Sequence, residues 1–315
     1  MKWMVAILVC LPLLGSGQYS VSLLNTKLKA LNNAPHSINQ DSKIPFEIIR
    51  GMMYVTASIN NQEGNFIIDT GAPLLIVNQS LQTEGEIKAR SISGSFSISN
   101  SIVDKFEWAG MKFNNLEALS VDISHLAKAS KREVMGLIGY NSFKDYELFM
   151  DFEQRELRLL TSDDFSLRHT TEAQIELPLS IQGHLPVISI VIGGKKLRFG
   201  LDTGAAVNLI DQSLLEELPE EIIHDLHLEE IQGVDQSVTQ VHAATLKGAE
   251  LKDQALQEMK FLFLDFKKIN KDTDLQIDGL LGYPFFKQLK CSINYKKKKL
   301  YIWELLLENE LSMNP

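Results

Sequence analysis

Two short stretches of the chain repeat each other and carry a carboxylate at the same place. Phe66-Ile67-Ile68-Asp69-Thr70-Gly71-Ala72 runs into an apolar segment and then Asn78-Gln79-Ser80-Leu81. Phe199-Gly200-Leu201-Asp202-Thr203-Gly204-Ala205 does the same before Asp211-Gln212-Ser213-Leu214, in the same register. A carboxylate set behind apolar residues is costly to bury unless it is paired or changes its protonation. Each apolar triplet reads as a core strand that delivers an Asp to a turn, where Gly71 or Gly204 supplies backbone freedom. If Asp69 and Asp202 meet, like-charge repulsion raises one pKa and lowers the other, so that the pair holds one proton. One carboxyl is then a base able to activate water, and its protonated partner an acid able to polarise a carbonyl. Such chemistry implies no metal and no organic cofactor.

The elements that must position this pair are also repeated. Gly136-Leu137-Ile138-Gly139-Tyr140 matches Gly279-Leu280-Leu281-Gly282-Tyr283, at a slightly longer offset than that between the two Asp residues. Between the two kinds of marker lies a weaker match, Ile92-Ser93-Gly94 against Ile231-Gln232-Gly233. Three matches in one order imply a duplication, and the period is too long for a solenoid unit, so each copy is a small domain. The expected lobes are residues 41–162 and 175–308, joined by a polar linker at 163–174. Residues 18–40, rich in Asn and Ser, form a tether, an added strand or a pro-segment. The composition of the repeats predicts a mostly β fold, with strands at Met53–Ile59, Leu185–Ile192 and Leu300–Trp303. Short helices are expected at Ser80–Glu86, Ser213–Leu218, Asn141–Tyr146 and Pro284–Leu289.

These residues resemble the aspartic peptidases of the pepsin and retroviral-protease type. Asp69-Thr70-Gly71-Ala72 and Asp202-Thr203-Gly204-Ala205 are similar to that family's paired active-site motif. The resemblance implies two pseudo-symmetric acid-protease-like β-barrel lobes with a central cleft, and Asp69 and Asp202 as the catalytic pair. It implies that Thr70 and Thr203 bond across the interface and hold the loops of Gly71, Ala72, Gly204 and Ala205. Leu137-Ile138-Gly139 and Leu280-Leu281-Gly282 resemble the family's second marker, which packs behind each catalytic loop. Ala after Asp-Thr-Gly is similar to the retroviral type, whereas two lobes in one chain are similar to pepsin. Pro73 and Ala206 stand where retroviral enzymes commonly carry another Asp, and no pepsin-type disulfide can form. Substrate-covering hairpins are expected between the two markers of each lobe, at Ser93–Asn100 around Gly94 and at Gln232–Thr239 around Gly233. The implied partner is a peptide or polypeptide substrate, and the implied state a monomer, since one chain supplies both halves of the site.

Composition narrows the alternatives. A formal charge of −9 over 315 residues argues against a nucleic-acid partner. Residues 1–17, with Lys2 ahead of an apolar run and small residues after it, have the layout of a signal peptide. Export to the periplasm, the cell surface or the medium follows from that reading. The run from Trp3 to Leu14 is short for a membrane anchor, and no stable membrane span is expected after signal removal. Cys291 would then be the one remaining cysteine, with no intramolecular disulfide open to it. His224 and His227 lie in a Glu-rich stretch that reads as a solvated face, Lys296–Lys299 as the turn of a terminal hairpin, and Trp108 and Trp303 as packing groups. A different class of function stays open: the duplicated scaffold could bind peptides without cleaving them.

Overall fold

The apolar triplets ahead of Asp69 and Asp202 lie at the centres of two sheets. Strand Gln62–Ile68 pairs in parallel with Gly136–Ile138, setting Phe66, Ile67 and Ile68 beside Gly136, Leu137 and Ile138. Strand Lys195–Leu201 pairs in the same way with Gly279–Leu281. Each of these short second-marker strands is also antiparallel to the strand leaving the Asp loop, Leu75–Asn78 in one lobe and Asn208–Asp211 in the other. The second marker of each lobe is therefore threaded between the strand that enters the Asp loop and the strand that leaves it. Flanked on both edges and covered on both faces, Phe66, Ile68, Leu137, Phe199, Leu201 and Leu280 are fully buried, which is why these stretches read as continuous apolar runs.

The computed structural model describes residues 5–6, 43–79, 84–91, 94–161, 172–232 and 238–306. It is mostly β, with an eight-stranded sheet in the first lobe and an eleven-stranded sheet to which the second lobe gives all but the edge strand Val5–Ala6. A six-stranded sheet joins the lobes, ordered Ile175–Pro178, Lys299–Leu305, Leu289–Asn294, Tyr146–Asp151, Glu156–Thr161, Ile44–Pro45. At its centre Phe149 pairs with Ser292, its own counterpart in the repeat, and the register spreads evenly to Glu147–Asn294 and Asp151–Lys290. The pseudo-twofold axis of the molecule passes between these two strands.

Beside that axis lies a buried polar contact. The Glu147 carboxylate, 2% exposed, accepts hydrogen bonds from Ser292 Oγ at 2.6 Å and Asn294 Nδ2 at 2.7 Å. Replacing Glu147 by Leu leaves two buried donors without this acceptor, at about 1–3 kcal/mol each. We expect Glu147→Leu to lower unfolding stability by about 2–4 kcal/mol, read from urea denaturation; a change under about 0.5 kcal/mol would show that the contact is not stabilising.

The expected strands occur at Met52–Ile59, Leu185–Ile192 and Lys299–Leu305. Helical turns occur at Leu214–Glu217 and Tyr283–Phe286, with 3₁₀ turns at Tyr140–Ser142 and Glu220–Ile222. The helix expected at Ser80–Glu86 is corrected: residues 80–83 lie outside the described set, and Glu84–Ser91 is a strand paired with Gly94–Trp108. Two further helices, Ser124–Ser130 and Phe266–Thr273, precede the second markers. Asp122 and Asp265 are counterparts in the repeat but start them differently: Asp265 is the N-cap and its Oδ1 accepts from the Lys268 N–H at 3.0 Å, whereas Asp122 precedes the cap residue Ile123 and its Oδ1 accepts from the Ser124 N–H at 2.9 Å. Cys291 is a buried free thiol, and Trp108 and Trp303 are buried packing groups.

Candidate active site

Both Asp-Thr-Gly turns arrive at the pseudo-twofold axis. Thr70 Oγ1 donates to the Leu201 carbonyl at 2.7 Å and accepts from the Thr203 N–H at 3.0 Å. Thr203 Oγ1 donates to the Ile68 carbonyl at 2.8 Å and accepts from the Thr70 N–H at 3.1 Å. Each hydroxyl thus satisfies one buried donor and one buried acceptor of the other lobe, so the two loops are held by a reciprocal set of four bonds.

The same turns bring the carboxyls together. Asp69 and Asp202 are both 0% exposed. Gly71 lies so close to Asp202 that a Cβ on it would stand 2.8 Å from the carboxyl carbon, and a Cβ on Gly204 would stand 2.5 Å from that of Asp69. The glycines are therefore needed for close approach, and the expectation of special backbone freedom is replaced: neither has a positive φ. Asp69 Oδ1 accepts from the N–H groups of Gly71 at 2.8 Å and Ala72 at 3.0 Å, while Asp202 Oδ1 accepts from Gly204 at 2.9 Å.

Behind each loop the second marker closes the turn. Asp69 N–H donates to the Ile138 carbonyl and Tyr140 N–H to the Ala72 carbonyl; Asp202 N–H donates to Leu281 and Tyr283 N–H to Ala205, all within 3.1 Å. Leu137, Leu280, Gly139 and Gly282 sit in this packed layer. Among the candidate flap residues, Gly94 opens the second strand of the hairpin that pairs it with Ser91, whereas Ser93 and Gly233 lie outside the described residues. Strands Ile223–Gln232 and Val238–Leu246 form the matching hairpin of the second lobe.

The electrostatics follow from this burial. The Asp202 carboxyl is pushed well above the usual carboxylate range, first by loss of water, then by the neighbouring Asp69 charge and by its hydrogen bond with Asp69. Two ionised carboxyls would face each other as acceptors alone, and a single proton turns the contact into a hydrogen bond. Because the folded state holds this proton where the unfolded chain has lost it, the contribution of Asp202 to stability is complete below the ordinary Asp value near 4 and is lost as pH rises towards the raised value. Asp202→Asn keeps the acceptor oxygen and removes the charge. We expect its Tm to exceed that of the natural chain by about 3–6 °C at pH 7 and by less at pH 4, measured by calorimetry; an equal or lower Tm at pH 7 would contradict the shared-proton state.

Three buried polar residues at the site escape a comparison of the repeats. His184 Nε2 lies 2.6 Å from the Gly71 carbonyl oxygen. Asn208 Oδ1 accepts from the Gly282 N–H at 2.9 Å. Tyr295 is buried near both carboxyls. Each breaks the repeat, standing opposite Gly51, Leu75 and Phe152 respectively, and a mismatch in or next to otherwise aligned strands is the one signal that marks them. His224 and His227 stay on the solvated strand Ile223–Gln232, with His227 near Glu229. Among the described residues no cluster of three or more His, Cys, Asp or Glu is placed to hold a metal ion, and no helix is long and apolar enough to cross a membrane.

No curated protein sequence matches the chain. Its sequence does match the profile of the aspartyl protease family twice, over residues 55–142 and 188–285, which together make up more than half of the chain. The two matches fall one in each lobe and each includes one Asp-Thr-Gly turn and one second marker, so the chain belongs to the aspartyl protease family as a tandem two-lobed member.

Proposed function

We propose that the chain is an aspartic endopeptidase in which water between Asp69 and Asp202 attacks the scissile carbonyl of an extended peptide. The observation that carries this reading is the pair of buried carboxyls, one from each lobe, locked by the four threonine bonds, with Asp202 pushed up by burial and by the neighbouring Asp69. The ionised carboxylate takes a proton from water as its oxygen attacks, and the protonated partner gives its proton to the carbonyl oxygen. On collapse the first carboxyl passes its proton to the leaving amine, and the hydroxyl proton of the intermediate returns to the second. Atoms and charges balance without a covalent intermediate. The N-terminal layout of residues 1–17 supports an exported protein, and two half-sites in one chain support a monomer.

The test is digestion of a diverse peptide mixture by the purified protein from pH 3 to 7, with products read by mass spectrometry. Cleavage by the natural chain, lost in both Asp69→Asn and Asp202→Asn, is expected. Folded natural protein that binds peptides but cleaves none would place the scaffold among non-catalytic binding modules.

A further inference from the structure

The pseudo-twofold axis sets His184 opposite Gly51, because strands Met52–Ile59 and Leu185–Ile192 are counterparts in the repeat and each residue directly precedes its strand. Both positions touch the other lobe. At Gly51 the backbone makes the contact, and a Cβ there would stand 3.0 Å from the Ala206 carbonyl oxygen. At His184 a side chain makes it, through Nε2 on the Gly71 carbonyl. A carbonyl can only accept, so the ring proton sits on Nε2 and the imidazole donates. Burial keeps this ring neutral, with its pKa held down to about 4 although the bond to Gly71 favours the charged form.

The Gly71 carbonyl belongs to the same peptide unit as the Ala72 N–H, which donates to Asp69 Oδ1 at 3.0 Å. Donation into the carbonyl polarises the whole amide and strengthens its N–H as a donor. The chain of bonds therefore runs from His184 through one peptide to the Asp69 carboxylate. Asp202 receives backbone donors as well, but Gly51 has no side chain with which to reinforce them. A second asymmetry lies on the same side. Tyr295 packs on Tyr140 with ring centroids 5.1 Å apart, where its counterpart Phe152 packs on Tyr283 at 6.2 Å. Tyr140 in turn lies 6.4 Å from the His184 ring. Among the described residues the titratable group packed on the His184 ring is Tyr140, with Tyr295 behind it and the two carboxyls beyond the Gly71 peptide. Both phenols are held neutral, their pKa raised chiefly by burial.

We propose that His184 is a positioning residue that breaks the equivalence of the two carboxyls, fixing the negative charge on Asp69 and the shared proton on Asp202. The proposal builds on the dyad reading, but its test measures titration and needs no turnover. Carbon-13 titration of the Asp carboxyls and nitrogen-15 spectra of the His rings are recorded on the natural protein, His184→Gln and His184→Leu. The natural protein is expected to hold His184 as the neutral Nε2–H tautomer down to about pH 5. Loss of the donor in His184→Leu is expected to raise the lower apparent pKa of the pair by about 0.5–1 unit, a three- to tenfold gain in proton affinity. His184→Gln, whose amide N–H can reach the same carbonyl, is expected to stay within about 0.2 unit of the natural protein.

The proposal is overturned by an Nδ1–H tautomer, by His184 titrating near 6.5, by a folded Leu variant with unchanged carboxyl titration, or by a folded Gln variant shifted as far as Leu. If His184→Leu does not fold, the tautomer in the natural protein and the Gln titration still decide. An inactive protein that titrates as expected would refute the peptidase reading and leave the role of His184 standing.

Discussion

Asp69→Asn and Asp202→Asn are each expected to lower kcat/KM for peptide cleavage by at least about a thousandfold, and the double variant to lose no more than the worse single one. In the proposed mechanism neither carboxyl works alone. With Asp69 as an amide there is no base to take the proton of water, and with Asp202 as an amide the hydrogen given to the carbonyl is far less acidic. Groups that act on one event are non-additive, so the second loss falls on a reaction already abandoned. Both variants should fold, because an amide oxygen can still accept from the N–H groups of Gly71 and Ala72, or of Gly204. Steady-state kinetics on a peptide found in the mixture digest measures the effect. Independent, multiplicative losses would indicate two separate contributions and no shared dyad.

The second large effect is on the threonine bonds. Thr70→Val keeps the shape of the side chain but strips the Thr203 N–H and the Leu201 carbonyl of their partner in a fully buried setting. Orphaning two such groups costs about 1–3 kcal/mol each, a large part of a typical stability of about 5–15 kcal/mol. Thr203→Val does the same to the Thr70 N–H and the Ile68 carbonyl. Each variant is expected to lose about 2–5 kcal/mol in stability and roughly 5–15 °C in Tm, and to lower kcat more than it raises KM, because the carboxyls lose their register. Thr→Ser at either position keeps the hydroxyl and should retain most of the stability. A Val variant within about 0.5 kcal/mol of the natural chain would show that the lobes are held elsewhere.

What was legible in the sequence is what the duplication wrote twice. The offset between Asp69 and Asp202 and that between Gly136 and Gly279 locate both turns and the strands behind them, because a twofold site demands matching residues in each lobe. The parallel pairing of Phe66–Ile68 with Gly136–Ile138 explains the uninterrupted apolar runs that marked them. The helix expected at Ser80–Glu86 stands opposite the one expected at Ser213–Leu218, which follows Asp211. There Asp211 accepts from the Ser213 N–H, and its second oxygen accepts from the Phe266 N–H, tying down the adjoining helix. Asn78 has no second carboxylate oxygen to do so, and its amide reaches the Val134 carbonyl instead. The helices starting after Asp122 and Asp265 were legible in principle, as a fourth match that shares the offset of the second markers. His184, Asn208 and Tyr295 were not, because each occurs in one lobe only and its meaning depends on which carbonyl or ring it meets across the fold.

If Asp69 and Asp202 form one site for a tetrahedral carbon, a peptide isostere whose scissile bond is replaced by a hydroxyethylene group should be held by both. A crystal structure of that complex decides the matter. The secondary hydroxyl is predicted to lie between the two carboxyls, within about 3 Å of an oxygen of each. An isostere seated away from the axis, or touching only one carboxyl, would contradict a shared site.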